Sequence, residues 1–288
     1  MLIALPMIGF GQQTYVPDDN FEQILINQGY DTVLDDYVLT ANINQLTILQ
    51  VGSSNIADLT GIEGFTALDF LYCGGNQLTS LDVSSNYNLK ELLCGDNQLQ
   101  SLFLPNSVEI LDCYSNQLSS LNTDSLPNLV NLDCSFNYIS TLDLSNNIAL
   151  GRLECISNQM TNLTLNDTAL TFLSCSFNSL TSLDLSQNNN LTIAYVFMNQ
   201  LNSLNINGAD SLVTLNAFKN ELTFLDVSSN TILRTLGLSN NQLTSLDVSN
   251  NYRLSRFACT NNYFTSIDVS YNPSLWRLFC DSNQLTNI

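Results

Sequence analysis

Residues 68–88 read LDFLYCGGNQLTSLDVSSNYN, and the same register returns along most of the chain. Taking Leu68 as a first position, units begin at Leu46, Leu68, Leu89, Val108, Leu129, Leu150, Leu170, Leu191, Leu212, Leu233, Leu254 and Leu275, spaced 19 to 22 residues apart. All eight cysteines, Cys73, Cys94, Cys113, Cys134, Cys155, Cys175, Cys259 and Cys280, fall on the sixth position. Self-similarity at such a period is the signature of a solenoid, in which each unit packs mainly on its neighbours.

Within a unit, positions 1, 4, 6, 11, 14 and 16 are apolar, as in Leu68, Leu71, Cys73, Leu78, Leu81 and Val83. The alternation at positions 4 and 6, between variable residues at 3, 5 and 7, predicts a short strand with one buried face. Identical strands stacked unit on unit make a parallel sheet. No single unit buries enough apolar surface to offset the entropy of ordering its backbone, so stability must come from shared interfaces. Position 9 is asparagine in eleven of twelve units, from Asn76 to Asn283, with Ser54 in the first. A buried amide there is predicted to satisfy N–H and C=O groups of its own turn and of the next coil.

The pattern L-x-x-L-x-C-x-x-N-x-L over residues 46–288 resembles that of leucine-rich-repeat proteins. The copy from Leu46 to Ala67 is similar to the 22-residue internalin-type repeat, and the later N-Q-L-T-S-L-D-V-S copies are similar to those of secreted bacterial surface proteins. The resemblance implies a β-rich leucine-rich-repeat solenoid: a right-handed superhelix of about twelve units with a concave parallel sheet and a helical N-terminal cap. It also implies an exported or cell-surface location and an adhesive role. Residues 12–45 suit the cap. Pro17-Asp18-Asp19-Asn20 supplies helix-start chemistry, Phe21, Ile24 and Leu25 an apolar stripe, and Gly29 a stop. Residues 1–11 read as a clipped signal peptide, an apolar run ending in the small-x-small site Gly9-Phe10-Gly11 but without a basic n-region. The chain stops at the fourteenth position of its last unit with no capping sequence, so a longer protein truncated at its C-terminus is expected.

Composition removes whole classes of function. With 26 acidic and 7 basic residues the net charge is −19, which argues against nucleic acid or an anionic membrane surface as partner. There is no histidine, so the commonest general base, the Ser-His-Asp constellation and the usual zinc site are all lost. No segment reaches the ~18 apolar residues of a membrane span. The expectation is a protein without cofactor, and not an enzyme.

Three regular arrays could be taken for sites. The cysteine column would ordinarily suggest disulfides, but parallel side chains on strands ~4.8 Å apart are poorly placed for bridging. Val196, Ala217 and Leu238 at the same position mark it as an apolar one. Buried thiols are therefore expected. Position 15 carries Asp82, Asp143, Asp184, Asp226, Asp247 and Asp268, each followed two residues later by serine. That spacing fits local side-chain to backbone turns, with calcium as the alternative, both here and at Asp31, Asp35 and Asp36. Positions 12 and 13 are mostly Thr and Ser, an array that also suits an ice surface, though Gln100, Asn202 and Phe224 break the lattice.

Function should sit where residues vary on a constant scaffold, at the outward positions 2, 3, 5, 7 and 8. Six of the seven basic residues fall there: Lys90, Arg152, Lys219, Arg234, Arg256 and Arg277. The ligand-binding candidates are Tyr195, Phe197, Phe218, Lys219, Arg234, Arg256, Trp276, Arg277 and Phe279, a basic and aromatic patch with the makings of an interaction hot spot. Earlier units carry Glu91, Glu109, Asp112, Asp133 and Glu154 on the same positions. Against this stands the alternative that long side chains merely solvate the sheet and pair across coils. The expected function is recognition or adhesion of a protein ligand, with a glycan as the alternative and ice as a minor one.

Overall fold

The computed structural model describes residues 11–165 and 169–286. The expected signal peptide lies outside the described residues except for Gly11. The chain divides into two compact units, one running to Ser107 and the other starting at Val108. The division coincides with the shortest repeat, Leu89 to Ser107, in which Ser107 Oγ donates to the Leu89 carbonyl at 2.7 Å.

Both units are built as parallel β-solenoids. In the first, strands Ile48–Gln50, Phe70–Tyr72 and Glu91–Leu93 run parallel with Leu49, Leu71 and Leu92 in register. In the second, nine strands among the described residues run from Ile110–Asp112 to Arg277–Phe279, each central residue paired with the central residue of the next. The register follows from the period: a slip of one residue would turn the fourth and sixth positions out of the core. Those positions are buried throughout, apart from the half-buried Leu278 and Cys280 of the last coil.

The turn after each strand has a fixed chemistry. Position 8 is left-handed in all twelve repeats, with φ between 53° and 70° from Ser53 and Gly75 to Asn261 and Ser282. Glycine and asparagine adopt this region readily. Phe136, Phe177, Met198 and Lys219 adopt it at a cost of roughly 1–2 kcal/mol each. The ninth-position asparagine then enters the core. Asn137 Nδ2 donates to the carbonyls of Cys134, at 3.1 Å, and of Cys113 in the preceding coil, at 3.0 Å, while its Oδ1 accepts from the Leu118 N–H at 2.9 Å. Asn262 repeats the set with Cys259, Leu238 and Leu243. Each amide thus clamps its own turn to the coil before it rather than to the coil after it, as the sequence had suggested.

Two features were not anticipated. Short second strands form at positions 13–15, pairing Ser80–Asp82 with Ser101–Phe103 in the first unit, and Thr141–Asp143 with Asn162–Thr164 in the second. A second ladder is made by position 19: Asn147 Nδ2 donates to Thr123 and Leu126 carbonyls, and Asn272 to those of Val248 and Asn251.

Ahead of the repeats, strand Gln13–Tyr15 pairs antiparallel with Tyr37–Leu39, and helix α1 spans Asp19–Asn27. Asp18 caps α1 by accepting from the Asn20 and Phe21 N–H groups, and its other oxygen accepts from Ala57 and Asp58. One carboxylate therefore anchors helix and first repeat together. Phe21 stacks on Phe65 with centroids 6.1 Å apart. Gly29, at φ 81°, follows the C-terminal residue Gln28 as the helix stop.

Candidate recognition face on the second unit

The outward side chains of the second unit's strands form columns, one member per coil. Where the sequence places Tyr195, Phe197 and Phe218, the structure builds a ring cluster. Phe197 and Phe218 stack with centroids 4.7 Å apart and planes 13° apart, and Tyr195 meets Phe197 edge-on at 6.5 Å. Two rings absent from the candidate set extend it: Phe177 against Phe197 at 5.5 Å and Phe172 against Tyr195 at 5.8 Å. Both sit on outward positions of the same register, the signal that could have found them.

Further along the face, Trp276 is 61% exposed and has two guanidinium groups near its ring. Arg256 Cζ is 5.0 Å from its ring centroid and Arg277 Cζ 4.9 Å, and Arg277 also lies 5.5 Å from the Phe279 ring. Indole faces attract such cations and hold them in place. Among the described residues neither arginine forms an ion pair. Both thus present extended, positioned and unneutralised charge in a strongly acidic chain.

Between the two groups runs an open trough of about 410 Å³. Tyr195 and Phe218 stand on one side, Arg256, Arg277 and Phe279 on the other, and Gly237 and Ala258 occupy the stretch between. Thr214, Asn216, Thr235 and Ser239 supply hydroxyl and amide groups, and no Asp or Glu lines it. Of the nine candidate residues, Lys219 and Arg234 are exposed at the borders of the face and do not line the trough. Phe197 backs Phe218 without lining it, and Trp276 holds the arginines from outside.

The earlier coils of this unit are different. Arg152 donates through Nε and Nη2 to Glu154 Oε1, at 3.1 and 2.7 Å, and lies 3.9 Å over the Phe172 ring. Its charge is already answered within the chain. Asp133 Oδ1 accepts from the Ser135 N–H at 2.9 Å.

The other arrays have structural explanations. Seven of the cysteines are fully buried, and Cys73, Cys134, Cys155, Cys175, Cys259 and Cys280 form no disulfide. Burial pushes the thiols of Cys73 and Cys175 up to about 12. Burial, with Cys280 adding to it, does the same for Cys259. Thiolate, the species that attacks or binds metal, is suppressed there. Asp82, Asp143, Asp184, Asp226, Asp247 and Asp268 each accept from the N–H of the serine two residues on, all at 2.9 Å. These serine hydrogen bonds hold Asp226, Asp247 and Asp268 below the usual carboxylate range. Asp31 and Asp35 lie beside buried Glu22, whose oxygens accept from the N–H groups of Asp35, Asp36 and Tyr37. Phe224, 72% exposed at position 13, interrupts the hydroxyl array. Among the described residues no helix is long and apolar enough to cross a membrane.

No protein-family model matches the chain. Internalin J of Listeria monocytogenes is 40% identical over 76 residues, 25% of this chain and 8% of that protein. The solved functional domain of InlJ from Listeria monocytogenes, which includes a cysteine ladder, is similar with a TM-score of 0.86 at 32% identity, covering 96% of this chain and 64% of that one. YopM from Yersinia enterocolitica is similar at 25% identity and a TM-score of 0.62, over 83% of this chain and 56% of that one. The chain thus spans just under two thirds of the InlJ domain and a small part of the curated Internalin J. An internalin, InlF, from Listeria monocytogenes shares the fold at 20% identity and a TM-score of 0.65, over 94% of this chain and 91% of that one. The period, the sixth-position thiols and the asparagine turn, taken with these likenesses, are those of an internalin-like leucine-rich-repeat protein.

Proposed function

We propose that the chain is a non-catalytic recognition module, exported or displayed at a bacterial surface, that binds a protein ligand through the exposed strand face of its second unit. The observation that carries this is the pair Arg256 and Arg277, held over Trp276 with no carboxylate partner among the described residues. Exposed Trp, Tyr and Arg dominate the binding energy of protein interfaces, and here they gather on one register beside an aromatic cluster. Likeness to internalins and other leucine-rich-repeat proteins supports an interaction or adhesion role.

The test is a panel of secreted and cell-surface proteins screened against the immobilised chain, with a glycan array in parallel. Reversing Arg234, Arg256 and Arg277 together to glutamate is expected to weaken a protein ligand by at least about a hundredfold, since each lost or inverted charged contact is worth ~1.5–3 kcal/mol. An affinity that survives the triple reversal would overturn the assignment of this face. Glycan hits without protein hits would move it to carbohydrate recognition.

A further inference from the structure

Resting on the recognition role above, we propose that the trough floored by Gly237 and Ala258 is a subsite for an acidic peptide segment: an apolar or aromatic side chain lies between Phe218 and Phe279, and flanking carboxylates meet Arg256 and Arg277. The trough exists because of what is missing. The fifth position runs Tyr195, Asn216, Gly237, Ala258, Phe279, so two successive coils lack bulk between walls that have it. At ~4.8 Å per strand, the gap from Asn216 to Phe279 is about 14 Å, room for a large side chain and its backbone. Gly237 is required where the Asn216 amide leans across the floor, since a Cβ there would stand 2.7 Å from Asn216 Oδ1, so the open floor lies chiefly over Ala258.

Three observations choose the occupant. The only charged side chains along the wall are the two guanidinium groups, and no carboxylate competes for them, so the site selects an anion. Both guanidinium groups lie over the Trp276 ring within 5.0 Å of its centroid, so less side-chain freedom is lost when a carboxylate binds. The backbone beneath is already engaged, with Ser255 and Arg256 N–H groups both donating to the Arg234 carbonyl, so a ligand cannot enter by adding a strand and must be read by its side chains. Apolar walls with cationic rims suit a peptide carrying a hydrophobic residue among glutamates or aspartates.

A displayed library of random peptides, selected on the whole chain, supplies the probe. Enrichment of acidic residues around a Trp, Phe or Leu is expected. Binding of a selected peptide, measured by fluorescence anisotropy, should fall at least about tenfold in Arg277→Gln and in Ala258→Tyr, whose ring would fill the trough. It should also weaken steeply with salt, and stay unchanged in Arg152→Gln, whose arginine is already paired. If Ala258→Tyr melts well below the parent chain, Arg256→Gln and Arg277→Gln carry the test alone. Selection without acidic bias, loss in Arg152→Gln equal to that in Arg277→Gln, or binding of sialylated glycans in place of peptides would overturn the proposal. A protein ligand lost on reversing the three arginines but indifferent to Ala258→Tyr and Arg277→Gln would overturn the subsite and leave the broader function standing.

Discussion

Arg152, Arg256 and Arg277 all occupy the third position of the repeat, on the same face of the same kind of strand, yet they end in two different states. Arg152 has Glu154 two residues on, at the fifth position, and the two side chains lie side by side and close an ion pair of 2.7 Å. Arg256 has Ala258 there and Arg277 has Phe279, so their guanidinium groups find only aromatic faces. The scaffold is common to all three. One alternate residue on the strand decides whether an arginine is paired within the chain or left without an ion-pair partner among the described residues, and the one pair that forms does so within a strand and not across coils.

The comparison supposes that the frame under both regions is equivalent, and the asparagine ladder tests this with the largest expected effect. Asn158→Ala beneath Arg152 and Asn262→Ala beneath Arg256 each strand two carbonyls and one N–H in or near the core. A loss of at least about 3 kcal/mol is expected at both, read by urea denaturation. A much smaller loss at Asn262 would mean that the coils carrying Arg256 and Arg277 rest on a softer frame, and the difference between the arginines would no longer be a matter of the fifth position alone.

Next in size is the conversion of one region into the other. Ala258→Glu places a carboxylate where Glu154 stands relative to Arg152 and should recruit Arg256. Binding of an acidic ligand is expected to fall by about thirtyfold, ~2 kcal/mol, through loss of one charge-assisted contact and a new repulsion. Thermal stability should barely change, because an exposed pair contributes ~0–1 kcal/mol. Unaltered binding would show that the ligand does not approach Arg256.

The left-handed position offers a smaller effect. Phe136 and Phe177 both hold φ near 57°, but Phe177 packs its ring on Phe197 whereas no ring contact involves Phe136 among the described residues. Phe136→Asn should stabilise by roughly 0.5–1 kcal/mol, asparagine tolerating the left-handed region. Phe177→Asn should be near neutral, the backbone gain offset by an aromatic contact worth ~0.5–1.5 kcal/mol. Calorimetric midpoints would show whether the two differ. Equal gains would mean that the ring cluster contributes nothing to the fold.

Much of this was legible in the sequence, and its gaps have physical causes. Twelve copies of one pattern specify the strand at positions 3–5, the inward thiols and the polar turn, because burial at period 2 leaves a residue-level imprint. The left-handed turn was hidden because Phe136, Met198 and Lys219 occupy it without the glycine or asparagine that usually marks such a φ. The direction of the ladder was hidden because a side chain's partner across 24 residues, as from Asn137 to Cys113, is a property of the coil and not of the unit. At the site, arginines and rings are conspicuous in a sequence, whereas a trough made by Gly237 and Ala258 is an absence. A search for chemistry-bearing residues passes over both.

The smallest expected change in stability carries the sharpest test of the comparison. Glu154→Gln removes the partner of Arg152 while keeping the shape of the side chain. The pair is exposed, so the cost should be below about 0.5 kcal/mol and close to undetectable in a melting curve. Freed of its partner, Arg152 would still lie over Phe172 and would then resemble Arg277 over Phe279. An acidic peptide selected on the parent chain should gain a second, weaker site, seen as a second phase in a titration, suppressed by salt and abolished by Arg152→Gln in the same background. No second phase would mean that an unpaired guanidinium beside a ring is not enough, and that an acidic peptide also needs the indole of Trp276 and the small residues Gly237 and Ala258.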